Sequence, residues 1–214
     1  RTKGHQVHKF SSSGELLMSL GTAGQAGSEP NQFNQPNDVV TGPDGSIYVA
    51  DGHNGQGMTT GQAIAAGIEA GSTARIMKFS ADGTFIKEWG QLGTLHGEFR
   101  TPHALAFDSE GRLFVADRGN HRIEIFAQDG NYLDSRYSYG RISGIFITGD
   151  NMLYAIDSES SMTSHQNWKN GVRIGHVDED RITGYIPPFD AETRPYQGAA
   201  GEGVAVDADG NVFA

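Results

Sequence analysis

Four stretches of this chain are versions of one another. The run Pro36-Asn37-Asp38-Val39-Val40, a turn at Asp44-Gly45 and the run Ile47-Tyr48-Val49-Ala50-Asp51 come first. They return 66 positions later as Pro102-His103-Ala104-Leu105-Ala106, Glu110-Gly111 and Leu113-Phe114-Val115-Ala116-Asp117. A third copy runs Gly201-Glu202-Gly203-Val204-Ala205-Val206, Asp209-Gly210 and Val212-Phe213-Ala214. A fainter one is Ile142-Ser143-Gly144-Ile145-Phe146-Ile147 with Leu153-Tyr154-Ala155-Ile156-Asp157. Repetition on this scale marks a closed or stacked array of like units.

The clearest unit resolves into four strands. Ala104–Phe107 and Leu113–Ala116 are short apolar runs separated by Asp108-Ser109-Glu110-Gly111. Arg122-Ile123-Glu124-Ile125-Phe126 alternates, Asp129-Gly130 signals a hairpin, and Tyr132-Leu133 opens a fourth strand. Four antiparallel strands in about 40 residues make one propeller blade. The preceding unit has the same parts in Arg75-Ile76-Met77-Lys78-Phe79, Asp82-Gly83 and Phe85-Ile86. A lone blade needs burial on both faces, and radial packing provides it while leaving short, protected edges. The expected architecture is therefore all-β: one β-propeller domain over 1–214. Its whole blades lie at 33–90, 99–137 and 141–186, with half-blades at 4–21 and 201–214. Glycine, 30 of 214 residues, suits many tight turns. The chain starts at Arg1 and stops at Ala214 inside an apparent strand, so it reads as a fragment or a trimmed product lacking one to two blades.

Composition removes several classes of function. A net charge of −10 argues against nucleic acid and anionic membrane surfaces. No stretch of 18 apolar residues is present to span a membrane. With no cysteine there is no disulfide, thiolate nucleophile or zinc–sulfur site. The expected partner is a small molecule or a peptide.

Strand direction places the remaining chemistry. If each blade's first strand starts at the top, the segments after the second strand and between blades are also at the top. Asn37, His103, Ser143 and Glu202 then start the innermost strands and ring the axis. The long connections share that face. Asp51 to Arg75 carries 19 more residues than Asp117 to Arg122. Ser158 to Gly171 holds His165 and Trp168, and Tyr185 to Gly201 holds Arg194 and Tyr196. Long loops gathered on one face of a rigid scaffold mark the functional face. Arg75 and Arg122 recur at equivalent positions and read as structural partners of the blade aspartates. Asp51, Asp117 and Asp157 read as turn closers, and Trp89 as inter-blade core.

Val115-Ala116-Asp117-Arg118-Gly119-Asn120-His121-Arg122-Ile123 and Pro102-His103-Ala104-Leu105 resemble NHL-repeat propellers. The order of blades from Gly4 to Ala214 resembles the peptidyl-α-hydroxyglycine α-amidating lyases, a six-bladed family whose members mostly act outside the cytoplasm. That resemblance implies an extracellular or periplasmic location. It also implies an axial zinc held by histidines of Pro-His pairs in alternate blades. His103 matches one such histidine. Glu202 falls where the family has another, and the third belongs to the blade whose outer half is 4–21. A calcium-binding aspartate of the family aligns with Gly203. Arg118 occupies the place of an arginine that meets the substrate carboxylate, and His53 that of a tyrosine proposed as catalytic base. Each residue has a plainer reading: His103 and Glu202 as polar groups at a channel mouth, Arg118 as an exposed turn arginine, His53 as a loop residue.

Three functions follow. One is a metal-dependent lyase cleaving C-terminal α-hydroxyglycine to an amide and glyoxylate. A second is a non-catalytic NHL propeller binding a peptide, glycan or protein through its top loops. A third is a lactonase-like hydrolase using Glu202 and Asn37 among its metal ligands.

Overall fold

The computed structural model describes residues 4–53, 73–189 and 200–214. The chain forms two compact units, 1–102 and 103–214. In the first, β1 (Val7–Phe10) and β2 (Leu16–Leu20) make a hairpin. Beside them in sequence, β3 (Pro36–Thr41), β4 (Ile47–Asp51), β5 (Arg75–Phe79) and β6 (Phe85–Trp89) form an antiparallel sheet in chain order. β7 (Pro102–Phe107) opens at the boundary. It is followed by β8 (Leu113–Asp117), β9 (Arg122–Phe126) and β10 (Tyr132–Arg136) in a second four-stranded sheet. The third sheet is β11 (Ile142–Ile147), β12 (Met152–Asp157), β13 (Gly171–His176) and β14 (Ile182–Ile186). β15 (Ala205–Val206) and β16 (Val212–Phe213) close the chain as a pair.

The middle strands β4, β8 and β9 are buried along their whole length. That is why β4 and β8 read as near-continuous apolar runs, whereas the alternating β9 buries Arg122 and Glu124 as an ion pair at 3.3 Å. In the second unit, Ala104, Phe114, Ile123, Tyr139, Ile142 and Leu153 belong to one core shared by two sheets. In the first unit, Phe33 and Phe99 are plugs with no exposure, each joined by a parallel bridge to Ala26 and Leu92 respectively. Each ring needs a glycine behind it. Gly21 and Gly90 have φ of 82° and 98°, and a Cβ there would lie 2.6 and 2.5 Å from the Phe33 and Phe99 rings.

The recurring arginines are structural, as the repeat implies. Arg75 Nε meets Asp51 at 3.2 Å and Arg122 Nε meets Asp117 at 3.0 Å, all four buried. The third blade has its own version, Arg173 with Asp157 at 3.2 Å. Trp89 differs from its expectation: it is half-buried at the end of an outer strand, edge-on to Tyr48.

Tyr139 illustrates what this core costs. It has no exposure, and its hydroxyl has no hydrogen-bond partner among the described residues. Burial, and then the charge of Asp180, push its phenol up to about 12. Removing an unsatisfied buried donor recovers its desolvation penalty, so Tyr139→Phe is expected to stabilise the protein by about 1 kcal/mol at neutral pH. The raised pKa makes a second difference. The unfolded phenol ionises first, so stability present below about pH 10 is lost as pH rises, by up to about 3 kcal/mol. Urea melts of the wild type and Tyr139→Phe from neutral pH to about pH 11.5 check both effects. Parallel alkaline losses in the two proteins would disprove the assignment.

Candidate functional site

The second unit gathers its candidate residues around Ser143, near the start of β11. His103, near the start of β7, donates from Nδ1 to the Ser143 carbonyl at 2.7 Å. This fixes the ring and leaves Nε2 facing Glu202, whose Oε2 lies 3.6 Å away. Arg118 opens the short 3₁₀ turn Arg118–Asn120 that follows β8. Its Nη1 donates to Ser143 Oγ at 3.1 Å and lies 3.8 Å from the same Glu202 oxygen. The Ser143 hydroxyl also pairs with the Ser158 hydroxyl at 2.6 Å. Glu202 reaches this cluster because residue 144 is glycine. A Cβ at 144 would lie 2.9 Å from the Glu202 carbonyl and 3.0 Å from Gly203 Cα.

His103, Ser143 and Glu202 therefore come together as their repeat positions imply. Arg118 is not the exposed turn arginine of its plainer reading, because it is 1 % exposed. Glu202, about half exposed, forms the solvent-facing side of the cluster. Sequence reasoning missed Ser158, although the repeat carried the signal: Ser158 follows Asp157 as Arg118 follows Asp117.

In the first unit, His53 is half-buried, two residues after β4. Asn37 donates its amide to the Gly52 carbonyl at 3.1 Å and the Pro102 carbonyl at 2.8 Å. Both of its N–H groups are thus committed to backbone. Residues 54–72 of the long connection, and Arg194 and Tyr196, lie outside the described residues. His165 and Trp168, in the long connection after β12, stack on one another at 4.3 Å.

The donor set can be compared with the needs of a divalent ion. A histidine whose Nδ1–H is spent on a carbonyl presents its Nε2 lone pair, the tautomer that metal sites use. Two ligands on one tetrahedral ion stand roughly 3–3.5 Å apart, given bonds near 2.1 Å. The separation of His103 Nε2 and Glu202 Oε2, 3.6 Å, suits two corners of such a site. Their facing acceptors call for positive charge between them, either a cation or a proton on Nε2. Among the described residues no third His, Cys, Asp or Glu joins them. Arg118 already neutralises part of the Glu202 charge, which weakens the pull on a cation.

The NHL repeat model matches residues 33–56 and 99–126. NHL repeat-containing protein 3 of Homo sapiens is 37 % identical over 128 residues, 59 % of this chain and 32 % of that one. Peptidyl-alpha-hydroxyglycine alpha-amidating lyase 1 of Drosophila melanogaster is 28 % identical over 227 residues, 97 % of this chain and 38 % of that one. The WD40 β-propeller domain of Doa1 superposes with a TM-score of 0.60 at 11 % identity, covering 97 % of this chain and 53 % of that one. The matched stretches span about a third of the length of the first relative and under two fifths of the second. Its class is that of an NHL-repeat protein built from β-propeller blades. Within that class it is homologous to the peptidyl-α-hydroxyglycine α-amidating lyases.

Proposed function

We propose that the protein is a metal-dependent lyase of the amidating type. On this reading it cleaves a C-terminal α-hydroxyglycine into a peptide amide and glyoxylate. One observation carries the reading: a histidine whose Nδ1 is spent on a carbonyl turns its Nε2 to a carboxylate beside a buried guanidinium. His103 and Glu202 would hold the ion, with zinc the candidate, because an imidazole nitrogen suits zinc whereas calcium takes oxygen ligands and its family aspartate is replaced here by Gly203. A bound divalent ion supplies Lewis acidity that polarises the substrate hydroxyl. Arg118 holds the substrate's carboxylate, for which a guanidinium is suited. The hydroxyl proton leaves to a base; His53, the candidate that the family resemblance supplies for that role, belongs to the first unit. As the hydroxyl becomes a carbonyl, the bond from the glycine α-carbon to nitrogen breaks. The nitrogen takes up a proton, and the carbon fragment departs as glyoxylate.

The test is metal analysis of the purified protein, repeated on His103→Ala, alongside chromatographic assay of a hydroxyglycine-terminated peptide. One divalent ion per chain is expected, with affinity and turnover lower by at least about 100-fold in the variant. Absence of stoichiometric metal, or metal binding indifferent to the substitution, would overturn the reading. The pairing of Arg118 with Glu202 would then favour the non-catalytic binding propeller, in which both serve as a fixed polar cluster.

A further inference from the structure

The third blade's long connection is folded around aromatic rings. His165 stacks on Trp168 with centroids 4.3 Å apart and 19° between planes, and His121 stacks on His165 at 4.2 Å. Guanidinium groups flank this row. Arg141 donates to His121 Nε2 at 3.2 Å, and Arg173 lies 4.6 Å from the Trp168 ring centre. The hydrogen bonds fix one nitrogen of each histidine. Ser160 Oγ donates to Asp157 at 2.6 Å, so it accepts from His165 Nδ1 at 3.2 Å. His121 Nε2, accepting from an arginine, is unprotonated. The backbone does not favour this turn by itself, since His165 and Asn167 have φ of 61° and 68°. Side-chain contacts hold it together with two backbone hydrogen bonds, from Ser161 N–H to Ser164 O at 2.7 Å and from Trp168 N–H to His165 O at 3.3 Å.

The same turn begins at Ser158, whose hydroxyl meets Ser143, which in turn accepts from Arg118. We propose that neutral His165 is a positioning residue for Arg118. It holds the 158–170 turn closed, and its protonation releases the turn together with the Ser158–Ser143 contact on Arg118. The charges that face His165 are Arg173 and Arg141 on one side of the balance and Asp157 on the other, with His121 the other titratable ring. Asp157 is already committed to Arg173 and to the turn's own N–H groups. A third cation therefore enters a stack that already holds two. Burial first, then Arg173 and Arg141, hold His165 below the usual imidazole range, against the pull of Asp157. The sign follows. The open turn takes up its proton near the ordinary value of about 6.5, while the closed turn resists. Closure is stable above that pH and weakens as pH falls below it.

Amide hydrogen exchange of the intact chain, corrected for intrinsic rates, tests the latch. Between about pH 7.5 and 5.5 the 158–170 peptides are expected to exchange about ten-fold faster in the wild type. The change should vanish in His165→Phe, which keeps a stacking ring but cannot be protonated. Exchange that does not respond to acid overturns the proposal. So does a response that persists in His165→Phe and disappears in His121→Phe. A second arm rests on the lyase reading. KM for the hydroxyglycine peptide should rise in acid in the wild type alone, with kcat following the same profile in both proteins. A pH profile of KM shared by the wild type and His165→Phe overturns the link to Arg118. Because the exchange arm needs no catalysis, it decides the latch even if the protein has no lyase activity.

Discussion

Asp157→Ala is expected to cost about 3–5 kcal/mol of stability, the range for stranding a buried charge. The carboxylate has no exposure and serves five donors. Oδ2 accepts from the Arg141 N–H at 3.1 Å, Ser160 Oγ at 2.6 Å and Arg173 Nη1 at 3.2 Å. Oδ1 accepts from the N–H groups of Glu159 and Ser160 at 3.2 and 2.9 Å. Its repeat equivalents should matter less, for a reason visible at their arginines. Arg75 keeps Glu88 at 2.8 Å when Asp51 is lost, and Arg122 keeps Glu124 at 3.3 Å when Asp117 is lost. Among the described residues Arg173 has no second carboxylate, only the carbonyls of Tyr139 and Lys169 and the Trp168 and Tyr185 rings. Urea denaturation of the three alanine variants should therefore rank Asp157 first. An equal or smaller loss at Asp157 than at Asp117 would refute this account of the pairing.

The same comparison explains what the sequence could reveal. Repetition exposes whatever each blade does in the same way. The strands, the Asp–Arg pairs of the first two whole blades, and the convergence of His103, Ser143 and Glu202 all follow from position in the unit. Arg173 escaped notice because the third blade moves its arginine along β13: it pairs in register with Ala155, whereas Arg122 pairs with Asp117 itself. Phe33 and Phe99 escaped because their loops look like linkers until the rings are seen filling the space that Gly21 and Gly90 leave. The approach of Glu202 to Arg118 accompanies the close passage of residues 202–203 over Gly144, a contact between segments far apart in sequence. Among the described residues the row of His121, His165 and Trp168 has no counterpart in the other blades. No periodicity announces it. What repeats is legible, and what a single blade improvises has to be seen in three dimensions.

Arg118→Ala is expected to weaken binding of a carboxylate-bearing substrate by about 1.5–3 kcal/mol, roughly 10- to 150-fold, the scale of a charged hydrogen bond. The group is held in advance. Ser143 fixes one nitrogen, and burial removes the competing water that would dilute the interaction. Glu202 is its present carboxylate neighbour, 3.8 Å away, so a substrate carboxylate must compete with it or share the guanidinium. This yields opposite signs at two adjacent residues. Arg118→Ala should raise KM for a hydroxyglycine peptide and leave its ester, which lacks the anion, little changed. Glu202→Gln keeps the shape and removes the competing charge, so carboxylate binding to Arg118 should tighten even as metal binding loosens. Lysine at 118 should rescue little, because a single ammonium does not reproduce the guanidinium fork. Steady-state kinetics on the acid and the ester, with metal content measured in each variant, separates these effects. Equal losses on both substrates would show that Arg118 only supports the fold, and unchanged kinetics would remove it from the site.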